Sequence, residues 1–159
     1  MAVLPIVIGA TTPVLRTKTK RIPKVTKEVL KLIADMHDTV KAAEGGGIAA
    51  PQIGVSLRVC LANINDKMTA LINPEITWRS TETLREEEGC LSLPGVWKAV
   101  ERSREIALTY MDEQGKVQER RFSDWNARVV QHEVDHLEGV LIVDYPALPN
   151  LASPDALAA

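Results

Sequence analysis

The string His132-Glu133-Val134-Asp135-His136 restricts the fold of this 159-residue chain more than any other stretch. Two histidines four residues apart share one face when the segment is an α-helix. Both imidazoles can then address a single metal ion. Glu133 follows directly, close enough to reach a water at that ion. Two imidazoles with a neighbouring carboxylate are the ligand-and-base set of a hydrolytic metal site. The flanks predict the helix. Ser123 stands at the N-cap position, and Asp124 suits the positive end of the helix dipole. Residues 125–137 contain neither Gly nor Pro, and Gly139 can end the helix. Trp125, Val129, His132 and His136 recur at helical spacing. The plainer alternative is a histidine pair that binds nothing, solvated or satisfied in a core.

A third ligand is required, and Glu86-Glu87-Glu88-Gly89-Cys90-Leu91-Ser92-Leu93-Pro94-Gly95 offers one. Cys90 lies between acidic residues and a Pro-Gly turn, a place where a strand leaves a sheet. A thiolate, two imidazoles and a water make an open four-coordinate site of the catalytic kind. The other cysteine, Cys60, sits in the apolar run Leu57-Arg58-Val59-Cys60-Leu61 and reads as a small buried hydrophobe. A third unusual segment is Gly45-Gly46-Gly47-Ile48-Ala49-Ala50-Pro51-Gln52. Three glycines let a backbone approach a ligand closely. No Gly-Lys-Ser/Thr ending marks it as a phosphate loop. It reads as an ordered cleft wall, with a flexible hinge as the alternative.

In this order, the three segments resemble the signature motifs of the peptide deformylases. Those are a glycine-rich stretch ending Ala-Ala-x-Gln, the string Glu-Gly-Cys-Leu-Ser, and Gln-His-Glu-x-Asp-His. Here they stand at residues 45–52, 88–92 and 131–136. Asn73-Pro74, Val100-Glu101-Arg102 and Leu137-Glu138-Gly139-Val140-Leu141 match as linking features, and the likeness runs from Leu4 to Tyr145. It implies that Cys90, His132 and His136 hold a divalent metal, usually Fe2+, with Zn2+, Ni2+ or Co2+ able to replace it. It implies Glu133 as general acid and base, with Gln52 and the Leu91 backbone N–H stabilising the oxyanion. Gly45, Gly46, Gly47, Ile48, Glu88, Gly89, Trp97, Trp125 and Val129 are expected to line the substrate cleft. Asp135 is expected to support the site, with Arg102 as partner; a surface salt bridge is the alternative. The implied reaction removes the N-formyl group from the methionyl terminus of new polypeptides and releases formate.

The chain also departs from that pattern. Trp125 stands where a smaller aliphatic residue faces the methionine pocket, so its ring is expected at the cleft floor or in the core. Glu86 takes a position often apolar. The tail at 146–159 is rich in Pro and Ala with few charges, unlike the long charged C-terminal helix of many bacterial members. Ribosome contact through such a helix is therefore not expected, although work close to the ribosome is.

Composition adds bounds. One catalytic domain at 1–145 is expected, long enough to bury a core. A net charge of −2 gives no electrostatic case for nucleic-acid binding. Two cysteines provide no disulfide framework and suit a reducing cytoplasm. The apolar start, Met1 to Ile8, is short, contains Pro5 and lacks a basic flank, so neither a secretory signal nor a membrane span is read there. A monomer is expected.

Periodicity predicts a helix over 25–43, with Val29, Ile33, Met36 and Val40 on one face. Strands are predicted at 57–62, 69–72, 75–79, 106–111, 117–122 and 141–144, with a hairpin turn at Asp112-Glu113-Gln114-Gly115. The expected class is α+β, with mostly antiparallel sheets packed around a central helix carrying the His-Glu-x-x-His motif. Two rival functions remain. A zincin-type endopeptidase would take its third ligand after His136, where Glu138, Asp144 and Asp155 are available but no histidine is. A non-catalytic metal-binding module would have no use for Glu133.

Overall fold

A computed structural model describes residues 2–148. Helix α1 (Lys27–Ala42) begins where the Thr26 hydroxyl accepts the Val29 N–H. Its buried face is Val29, Ile33, Met36 and Val40. Burying each such side chain stabilises by about 1.5–3 kcal/mol, against about 1 kcal/mol for a capping bond. Packing, rather than local propensity, therefore holds α1 in place.

Seven strands follow: β1 (Gly47–Ala49), β2 (Val59–Ile64), β3 (Lys67–Arg79), β4 (Thr83–Cys90), β5 (Leu93–Ser103), β6 (Glu105–Met111) and β7 (Val117–Ser123). They form a five-stranded antiparallel sheet, ordered β1-β2-β3-β6-β7, and a two-stranded sheet, β4-β5. Helix α2 (Asp124–Leu137) comes last and carries the histidines. The larger sheet is buried on both faces along β1 and β2. Cys60, Ala62 and Ile64 point to one side and pack with Val130, Val134 and Leu137 of α2. Val59 and Leu61, their alternate neighbours, point to the other and pack with Ile33, Met36 and Val40 of α1. The two-residue period of a strand supplies both cores from one apolar run. The result is the α+β arrangement expected, with α2 against the sheet.

Strand assignments differ from expectation at four places, the first being β1, which forms within the glycine-rich segment read as a cleft wall or hinge. Segments 69–72 and 75–79 belong to one strand, β3. Register shifts between Ile72 and Glu75, and Asn73 takes φ 52°, so a bulge carries Pro74 through the ladder. Strands β4 and β5 were not anticipated as a pair. The run Thr-Leu-Arg-Glu-Glu-Glu-Gly-Cys has no apolar alternation, and cross-strand pairing orders it. The strand expected at 141–144 is instead a short 3-10 turn, Ile142–Asp144. The Asp144 carboxylate accepts the Leu141 N–H at 2.9 Å and closes the turn locally, taking the bond a ladder would need.

The α2 boundaries match the prediction, with one difference. Ser123 occupies the N-cap position but its side chain makes no capping bond. Gly139 ends the helix in the left-handed region at φ 77°, and a Cβ there would lie 2.8 Å from the Arg16 backbone. The Asp112–Gly115 turn forms as read, with the Asp112 carboxylate accepting from the Gln114 and Lys116 N–H groups. The tail read at 146–159 lies outside the described residues from position 149 onward.

Candidate active site

Helix α2 aims His132, Glu133 and His136 at the junction between the two sheets, and β4 ends there with Cys90. Donor atoms of Cys90, His132 and His136 all lie within 4.8 Å of one another. Cys90 Sγ is 3.4 Å from His136 Nε2. Sulfur and imidazole donors at such spacing fit a borderline divalent ion such as iron, cobalt, nickel or zinc, and do not suit magnesium or calcium. Burial opposes a charge on His132, yet hydrogen bonds to Cys90 and Glu88 and the Glu133 charge push its pKa up to about 10. His136 is fully buried, which drives its pKa well below the ordinary value, so it offers a neutral ring.

Glu133 is 3% exposed, and its Oε1 has no hydrogen-bond partner among the described residues. Burial pushes its carboxyl up to about 7 against the opposing charges of His132 and Arg102. A carboxyl held near neutrality can both accept and release a proton. Beside it, β1 explains one glycine. A Cβ on Gly47 would lie 2.6 Å from Glu133 Oε2 and 2.7 Å from the Leu61 carbonyl oxygen. Only a bare backbone fits between the carboxylate and β2.

Glu88 reaches the cleft wall, and its oxygens are taken. Arg102 donates to it through Nε at 2.6 Å and Nη2 at 2.8 Å, Arg128 Nη1 at 2.5 Å, and His132 Nδ1 lies 2.8 Å away. Burial opposes ionisation, but the Arg102 and His132 bonds hold its carboxyl down at about 2. Glu88 therefore orients His132, leaving Nε2 as the ring atom with which His132 can bind a metal. Arg102 extends this network to Asp135 Oδ2 at 2.9 Å, where the Tyr145 hydroxyl also donates at 2.5 Å. Arg102 and Asp135 meet as read, and Arg102, 4% exposed, is no surface partner.

Gln52 lies on the short 3-10 turn after β1 (Ala50–Ile53) and is buried. Its Oε1 accepts the Ala49 N–H at 2.9 Å, and its Nε2 donates to Ser92 Oγ at 3.1 Å. The cleft encloses about 350 Å3 and runs between Gly45-Gly46-Gly47 on one side and Gly89, Cys90 and Leu91 on the other, with Val129 behind. Trp97 and Trp125 stand at its mouth, 68% and 59% exposed. The Trp97 ring covers Gly89, where a Cβ would come within 2.8 Å of it. Trp125 thus lies at the rim, neither at the cleft floor nor in the core, and more than half of it stays exposed among the described residues. Ile48 is also corrected. It is fully buried under α1, since its side chain points opposite to Gly47, and only its backbone remains near the cleft. Glu86 is not part of the main cleft lining but lies in a side pocket that shares Trp125 and Arg128 with it.

Three contributors escaped the sequence reading. Arg128 ties Glu88 to the carbonyls of Val100 and Leu84; its place four residues before His132 was the available signal. Ser92 belongs to the cysteine motif, and its contact with Gln52, forty residues away, leaves no local signal. Tyr145 reaches Asp135 from beyond α2, and nothing local marks it.

The profile of the polypeptide deformylase family matches residues 4–150. The chain belongs to that family. It is 50% identical over 132 residues to the peptide deformylase of Pseudothermotoga lettingae, covering 83% of this chain and 77% of that protein. The enzyme of Dictyoglomus thermophilum is 46% identical over 83% of this chain and 86% of its own length. The crystal structure of peptide deformylase from Thermotoga maritima superposes with a TM-score of 0.89 at 38% identity, over 93% of this chain and all of that one (100%). The actinonin-bound class I type b peptide deformylase of Acinetobacter baumannii gives 0.87 at 35% identity, over 92% and 100%. This family membership disposes of the zincin and binding-module readings.

Proposed function

We infer that this chain is a metal-dependent peptide deformylase, which hydrolyses the N-formyl group from the terminal methionine of newly made polypeptides and releases formate. The observation that carries the site assignment is the convergence of Cys90, His132 and His136 donors beside a buried carboxylate oxygen with no partner. A formamide resists water at neutral pH, so the reaction needs an activated nucleophile and a place for the oxyanion.

A divalent ion held by Cys90, His132 and His136 would supply Lewis acidity and lower the pKa of water at the site. Fe2+ is our first assignment, with Zn2+, Ni2+ or Co2+ as substitutes. Glu133 takes the proton of the attacking water at its free oxygen and later delivers one to the departing methionyl amine. The Gln52 Nε2–H and the Leu91 backbone N–H meet the charge developing on the formyl oxygen. Losing one such donor costs about 100–1000-fold in rate. Glu88, Arg102 and Asp135 hold His132 and α2 in register with β4 and β5.

The peptide lies as an added strand beside Gly45–Gly47, supported by the edge position of β1 in its sheet. Main-chain bonding of that kind tolerates many following residues, as an enzyme acting on many nascent chains requires. Val129 faces the methionine side chain, and Trp97 and Trp125 contact residues further along. All these groups come from one chain, so a monomer suffices. The substrate emerges from ribosomes, which sets the work beside them in the cytoplasm. Among the described residues, no helix is long and apolar enough to cross a membrane.

The test measures formate release from formyl-Met-Ala-Ser by the native chain and by Glu133→Gln, with casein as control substrate. The native chain should release formate and leave casein intact. The variant should keep its metal and lose nearly all turnover. Casein cleavage, or full activity in the variant, would overturn the assignment.

A further inference from the structure

We propose that Ser92 is a positioning residue for the deformylation step: its hydroxyl fixes the Gln52 amide so that a single N–H is left to face the formyl oxygen. The proposal rests on the deformylase reading above and deepens it.

The Gln52 orientation is settled by its partners. Ala49 presents an N–H at 2.9 Å, and only the amide oxygen can accept it. Nε2 therefore points the other way, toward Ser92 Oγ at 3.1 Å and Cys90 Sγ at 4.0 Å. An amide nitrogen carries two hydrogens. Ser92 takes one, and the second is directed to the Cys90 side, where the reacting carbonyl must lie. Without the hydroxyl, one terminal N–H loses its acceptor in a buried setting, and the side chain is held at its oxygen alone.

The surroundings make the arrangement rigid. Ser92 is 0% exposed and Gln52 2% exposed. The N-terminal segment ties both backbones, with the Val7 N–H donating to the Gln52 carbonyl at 2.7 Å and the Gly9 N–H to the Ser92 carbonyl at 3.0 Å. Gln52 comes from the turn after β1 and Ser92 from the β4–β5 connection, so the bond joins the two walls of the cleft. An oxyanion donor is effective when it is already in place as charge develops. Ser92 supplies that preorganisation without touching the substrate.

A double-mutant cycle on the full chain tests this, with kcat and KM separated on formyl-Met-Ala-Ser. Ser92→Ala should lower kcat by about 10-fold and leave KM within about twofold, as loss of a transition-state interaction predicts. Ser92→Cys, whose sulfur is a weak acceptor, should fall in between and guards against misfolding of the alanine variant. Gln52→Leu should lose about 100–1000-fold, and adding Ser92→Ala to it should change nothing more, because no donor remains to be positioned. The same further loss in both backgrounds would show that the hydroxyl acts elsewhere and would overturn the proposal. Side-chain amide spectra of 15N-labelled protein give a readout independent of turnover. Gln52 should show two distinct proton signals that draw together or exchange faster with water in Ser92→Ala; unchanged signals also overturn it. A native chain that releases no formate would overturn the deformylase reading and the oxyanion half of the proposal, while the spectra still decide whether Ser92 fixes Gln52.

Discussion

Glu88→Gln separates the structural from the catalytic role of the charge network. The native carboxylate is 7% exposed and receives Arg102 through two nitrogens, Arg128 through one, and His132. The amide keeps one acceptor oxygen but sets an NH2 against donors. Arg102 retains Asp135, whereas Arg128 is left with only the carbonyls of Val100 and Leu84 among these partners. Removing one partner of a buried ion pair costs about 3–5 kcal/mol, because the remaining charge is uncompensated. For a chain of this length each kcal/mol moves Tm by about 2–4 °C, so the variant should melt about 6–20 °C lower. Loss of the carboxylate charge behind His132, whose Nδ1 lies 2.8 Å from Oε1, should weaken metal binding by about 10–100-fold. Calorimetry and metal titration of native, Glu88→Gln and Glu88→Gln/Arg128→Met proteins are the assays. The double variant removes the stranded charge and should recover part of the lost Tm without restoring metal affinity. A Glu88→Gln protein within about 2 °C of native, binding metal equally tightly, would refute the reasoning.

Other perturbations probe the remaining geometry. Gly47→Ala puts a methyl 2.6 Å from Glu133 Oε2 and 2.7 Å from a β2 carbonyl; it should cost about 1–3 kcal/mol and about 100-fold in kcat, measured by melting and formate release, and an unchanged kcat would show that the carboxylate moves freely. Cys90→Ser should lose most of the bound metal on elemental analysis, whereas full occupancy would remove Cys90 from the ligand set. Trp125→Leu, at a 59% exposed position, should shift stability by no more than about 0.5 kcal/mol. It should leave the preference among formyl-Met, formyl-norleucine and formyl-Ala unchanged while raising KM for longer peptides; altered first-residue preference would return the ring to the methionine pocket.

How far the chain could be read depended on the range of each interaction. Helix α1 was legible because its apolar residues repeat at the helical period, and the Asp112–Gly115 turn because its bonds close within a few residues. The β4–β5 pair was not, since a strand of consecutive glutamates owes its order to a partner strand and to two buried arginines. Ile142–Asp144 forms a 3-10 turn where the apolar pattern predicts a strand, because one side-chain bond to Leu141 outweighs that pattern. Within the site, the donors of Cys90, His132 and His136 converge as their motifs suggested. Arg128, Ser92 and Tyr145 passed unremarked, for each acts on a group distant in sequence.

By itself the sequence determined what chemistry the chain can carry. Three motifs supply a thiol, two imidazoles and a carboxyl, and the helical period alone brings the two imidazoles to one face. Only the tertiary structure decided what each side chain faces. It made Glu88, at the cleft wall, the anchor of His132, sent Ile48 into the core under α1, and left Trp125 at an open rim. The reason is physical: periodicity assigns a residue to a face of its own element, but burial, partners and pKa depend on which other element covers that face.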